Sequence, residues 1–98
     1  MAEIDEIKKI ALTQLEQIQI DCYDLSIKLN EYKSARQSQL SKTELIELEM
    51  DASRLQALFD KIDRLQLLIK TPYLDTKTIE ENFIHFREIL ESIRRHMA

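Results

Sequence analysis

Three groups of residues in this chain have types and spacings that could do chemistry. Glu81, His85 and Glu88 fall at i, i+4 and i+7, which places them on one face of a helix. An imidazole and two carboxylates arranged in this way could grip a divalent cation. Helical bundles that hold two metals use a Glu-x-x-His spacing with further inward glutamates. Here Asn82 stands three residues before His85, and the apolar seams carry no paired glutamates. A metal-binding bundle is therefore the third-ranked reading. Arg87, Arg94 and Arg95 form a basic end that could touch phosphate, but arginines in a final turn also complement the helix dipole. Cys22 is the only thiol. It lies four residues after Ile18 and three before Leu25, on an apolar seam where a thiol is raised in pKa and unreactive.

The remaining catalytic options fail on composition. The 98 residues include no glycine and one proline, Pro72. Neither a dinucleotide fingerprint nor a phosphate-cradling loop can be written without glycine. The glycine-framed nucleophile turn is likewise excluded, and only His85 and His96 could act as imidazole bases. The sequence reads as a protein that is not an enzyme and needs no cofactor.

The elements that must carry these side chains follow from periodicity. Charged residues make up 33% of the chain and hydrophobic residues 44%, a mixture suited to long amphipathic helices. A first helix is predicted over about 2–33. Ile4, Ala11, Ile18, Leu25 and Tyr32 repeat every seven residues, and Leu15, Cys22 and Leu29 fill the second seam position, with Lys8 the exception. Asp5 with Lys9, and Asp24 with Lys28, have ion-pair spacing. The polar stretch from Ser34 to Ser41 loses the period. Ser41-Lys-Thr-Glu44 then reads as a capping box, with the Glu44 carboxylate expected to reach back to the Ser41 N–H and Leu40 and Leu45 placed as a hydrophobic staple.

A second helix is predicted over about 42–70. Its stripe is Leu45, Leu48, Ala52, Leu55, Phe59, Ile62 and Ile69, with Gln66 as the polar intruder and Leu58 and Leu65 widening it. Thr71-Pro72 ends it, because proline disfavours helical backbone in the residue before it. A third helix is predicted over about 76–97, capped by Asp75 or Thr76, with Ile79, Phe83, Phe86, Leu90, Ile93 and Met97 at alternating spacings of four and three. The fold class is all-α. It is one domain spanning 1–98, a long antiparallel coiled-coil-like hairpin plus a third helix that folds back up-down-up or crosses to another subunit.

Helix one carries more apolar surface than one seam needs. Ile20, Tyr23 and Ile27 point roughly 170° away from the seam, with Leu12 at the edge of the same second face. Helix three can cover one face, which makes Ile20, Tyr23 and Ile27 first of all candidate contacts inside a three-helix bundle; the alternative is that this surplus forms an interface with a partner or a second copy. The expected function is a non-catalytic protein–protein interaction module, an adaptor, chaperone-like or regulatory protein acting as a homodimer. The alternative is a nucleic-acid-associated regulator using Arg87, Arg94 and Arg95. Nucleic acid is the weaker partner, since 14 basic and 18 acidic side chains leave a net charge of −4 with no basic block. The single cysteine, and an N-terminus of acidic then basic residues without an apolar core, read as a reduced, cytoplasmic chain. No apolar run approaches the roughly 18 residues of a membrane span.

Overall fold

A computed structural model describes residues 2–72 and 75–97, with side chains from Glu6 onward. Three helices fill it: α1 (Ala2–Arg36), α2 (Lys42–Ile69) and α3 (Thr76–His96). At 1.5 Å per residue they are about 52, 42 and 32 Å long. The seam residue Ile4, the Asp5–Lys9 pair and the connecting residues Tyr73 and Leu74 lie outside the described side chains.

The helices start where the caps predicted. The Ser41 hydroxyl accepts from the Glu44 N–H at 3.2 Å. The expected reciprocal bond differs, because the Glu44 carboxylate accepts from the Ser41 hydroxyl at 3.1 Å and not from its N–H. Asp75, and not Thr76, caps α3 by accepting from the Thr78 N–H at 2.8 Å. Hydrogen bonding from Thr78, first its side chain and then its backbone, holds the Asp75 carboxyl below its ordinary value. This cap therefore acts above the carboxylate range and is lost as pH falls through it.

α1 runs one turn past the predicted Lys33. The Arg36 guanidinium lies 4.2 Å from the centre of the Tyr32 ring, and the Arg36 carbonyl accepts from the N–H groups of Gln39 and Leu40 at 2.9 and 3.0 Å. The turn into α2 is thus closed with right-handed backbone. No described residue has a positive φ, so the lack of glycine imposes no strain on the turn into α2.

Cross-helix bonds give the topology. Lys8 Nζ donates to the Thr71 carbonyl at 2.6 Å, Gln66 to Gln19 at 3.2 Å, and Lys33 pairs with Glu49 at 3.6 Å, so α1 and α2 are antiparallel. Asp51 meets His96, and Arg54 meets Ser92, so α3 runs antiparallel to α2 and parallel to α1. The bundle is up-down-up, with α3 packed on its own chain. It measures 57 × 18 × 17 Å.

One seam runs through all three helices. It is built from Leu15, Ile18, Cys22, Leu25 and Leu29 of α1, Leu55, Leu58, Ile62 and Leu65 of α2, and Phe83, Phe86, Leu90 and Ile93 of α3, among others. The predicted stripe on α2 is corrected here. The buried positions are Leu48, Asp51, Leu55, Leu58, Ile62, Leu65 and Ile69, whereas Ala52 is exposed and Leu45 and Phe59 are half-buried. Every second position of the stripe moves back by one residue, about 100° around the helix. A hairpin asks α2 to face α1 alone. A bundle asks it to face the trough between α1 and α3, which turns Leu58 and Leu65 inward and Ala52 outward. The predicted Asp24–Lys28 pair does not close. Lys28 lines the groove between α1 and α3 together with Asp24 and Arg94.

The rotated stripe has a direct test in urea denaturation. Leu58→Ala is expected to lower stability by about 3 kcal/mol, since it leaves a cavity in the seam. Ala52→Ser is expected to stay within about 0.5 kcal/mol of the parent.

Candidate interaction surface

The second face of α1 remains uncovered. Ile20, Tyr23 and Ile27 are 54%, 61% and 41% exposed, while Leu12 is half-buried and packs on the core edge. α2 holds one flank of α1 through Lys8, Gln19 and Lys33. α3 holds the other flank, where Gln14, Gln17 and Asp21 face Arg87 and Arg94. Helix three could have covered the outer face of α1, but it lies in the trough instead. The four residues of the predicted surface are therefore brought together by one helix alone, with the three large ones turned to solvent.

The basic residues do not converge. Arg87 and Arg94, seven apart, line the α1–α3 groove. Arg94 approaches Glu91 at 3.9 Å, and the Arg87 guanidinium lies 6.0 Å from the centre of the Phe83 ring. Arg95, one residue on, projects about 100° away around the helix. A carboxylate-lined groove and a separate arginine do not make one cationic footprint.

Glu81, His85 and Glu88 are exposed on the outside of α3. Among the described residues no three His, Cys, Asp or Glu side chains come together as a cation site. Cys22 is fully buried, and its thiol approaches the Leu55 carbonyl at 3.9 Å. Burial pushes this thiol up to about 11. No described helix is long and apolar enough to cross a membrane.

The sequence reading missed one cluster. Asp51 is 2% exposed, the only charged residue in the described core. Its Oδ2 lies 2.6 Å from His96 Nδ1, and its Oδ1 accepts from Arg54 Nη1 at 3.2 Å. Arg54 also reaches the Ser92 hydroxyl at 3.5 Å. A carboxylate removed from water needs such partners, and no described buried side-chain polar atom lacks one. A histidine steered by an aspartate resembles half of a catalytic triad. Here Glu47, Met50, Asp51 and Arg54 line the groove beside His96, and no hydroxyl or thiol nucleophile is among them. The cluster braces α3 against α2. Its signal in the sequence is the spacing of Asp51, three after Leu48 and four before Leu55, a seam position whose polar residue hides it from a hydrophobic pattern.

Comparison with protein-family models, with curated proteins and with solved structures gives no match to this chain.

Two outcomes are expected. His96→Ala strands the Asp51 carboxylate with only Arg54 and should lower stability by about 1–3 kcal/mol, water access to the half-exposed partners limiting the loss, whereas Asp51→Leu should be neutral or stabilising in the same denaturation series. Between pH 9 and about 11 the folded thiol of Cys22 keeps its proton while the unfolded one has lost it. Stability should then fall with rising pH, with Cys22 contributing up to about 1.4 kcal/mol per pH unit, and Cys22→Ala should remove that part of the slope.

Proposed function

We propose that this protein is a non-catalytic helical interaction module of the adaptor, chaperone-like or regulatory kind, acting as a homodimer and holding a partner protein on the outer face of α1. The observation that carries this reading is the placement of Ile20, Tyr23 and Ile27. Three large apolar side chains stay in water on the longest helix although an entire seam is already buried on its other side. Isolated exposed apolar residues are ordinary, but a contiguous set at i, i+3 and i+7 on one helix face is the pattern of helix recognition. Self-association is supported by further apolar surplus elsewhere. Ile46, Met50, Leu67 and Leu68 of α2 and Ile84 of α3 are also exposed. Met50 and Leu68 are separated by five helical turns, so they share one face of α2.

Sedimentation across a concentration series tests the dimer, which should dissociate on dilution. Ile20→Asp with Tyr23→Asp should leave the unfolding free energy within about 0.5 kcal/mol of the parent, because both positions are exposed, while association with a partner is lost. A monomer at every concentration whose binding survives that double substitution would overturn the proposal.

A further inference from the structure

We infer that the outer face of α1 takes an amphipathic helix whose apolar stripe is flanked by lysine or arginine, and that it does not take a second copy of itself. The inference rests on the interaction-module reading and adds the chemistry of the partner.

Charge is distributed unevenly around the apolar face. Between Ala11 and Tyr32, α1 carries four carboxylates, Glu16, Asp21, Asp24 and Glu31, and one cation, Lys28. That stretch has a net charge of −3, out of −4 for the whole chain. Four of the five cations of α1 are turned elsewhere, and the fifth, Lys9, lies on the same side but far along the helix. Lys8 is bonded to Thr71, Lys33 is paired with Glu49, Arg36 is stacked on Tyr32, and Lys28 lies in the α1–α3 groove. Lys9 is eleven residues before Ile20, about 16 Å along the helix.

Glu16 precedes Ile20 by one turn and Glu31 follows Ile27 by one turn, so these two carboxylates border the apolar residues at helical spacing, while Asp24 lines the α1–α3 groove with Lys28. Among the described residues neither Glu16 nor Glu31 is in an ion pair. An apolar patch with an acidic border favours a partner whose stripe is bordered by cations, through both encounter and register. Two copies of the face would set carboxylate against carboxylate, which opposes self-docking here.

Titration calorimetry with two synthetic peptides of about 20 residues tests the inference. Both share one leucine stripe at i, i+3 and i+7. One is flanked by lysine and arginine, and the other by glutamate. The basic peptide should bind the full-length protein, and more weakly as salt is raised. Glu16→Lys with Glu31→Lys should reduce its affinity about tenfold or more. Glu81→Lys with Glu88→Lys, equal charge changes on the outside of α3, should change it less than about twofold. Ile20→Asp with Tyr23→Asp should abolish binding, and the acidic peptide should not bind. Equal binding of the two peptides, or equal loss in the α1 and α3 charge variants, would overturn the inference. So would failure of both peptides. In that case a change of oligomeric state in the Ile20→Asp/Tyr23→Asp variant would show the face serving a second copy and leave the interaction-module reading standing, whereas no change in that variant would remove both.

Discussion

Each helix in this bundle has to face two neighbours at once, and most of the structure follows from that requirement. The seam between α1, α2 and α3 is a trough, so every helix turns the middle of its apolar stripe toward the axis of the bundle. On α2 this selects Leu58 and Leu65 over Phe59 and Gln66, and Asp51 over Ala52. The selection of Asp51 takes place at the end of the shortest helix. α3 finishes at His96, and beyond that point Tyr32, Leu40 and Leu48 continue the packing between α1 and α2. The buried carboxylate sits where the seam narrows from three helices to two, and the last turn of α3 supplies the cation-capable group that answers it. Histidine and arginine there also meet the negative end of the α3 dipole. One local arrangement thus satisfies a buried acid, ends a helix and ties it to its neighbour.

The same packing decides which surfaces are left over. Because α3 occupies the trough, it takes the inner flank of α1 and leaves the outer face bare. Lys28 and Lys33 are drawn to the flanks, toward the α3 groove and Glu49 respectively. The carboxylates Glu16 and Glu31 remain at the border of the bare face. An apolar face with an acidic border is therefore a consequence of where the neighbouring helices recruit their positive charge. Internal packing thereby sets the chemical character of this surface.

The described backbone around both connections has no positive φ, although the chain has no glycine. At the first turn the Arg36 carbonyl collects two N–H groups. At the second, Thr71 closes onto Leu68 and is held by Lys8. The thiol of Cys22 is sealed among aliphatic side chains, and the exposed Glu81, His85 and Glu88 stay on the outside of one helix.

Heptad spacing, the capping serine and aspartate, and Pro72 were enough to determine three helices, nearly all of their boundaries and the seam residues of α1 and α3, because these depend on local backbone preference and on a period that each helix carries by itself. That Ile20, Tyr23 and Ile27 share one face was legible for the same reason, as residues on the far side of a single rod, but that α3 leaves this face bare was not. The rotation of α2, the burial of Asp51, and its pairing with His96 and Arg54 were decided only by tertiary structure. Each depends on where a second or third helix lies, and the angle at which a helix meets its neighbours is set by the joint packing of all three stripes, which no one stripe contains.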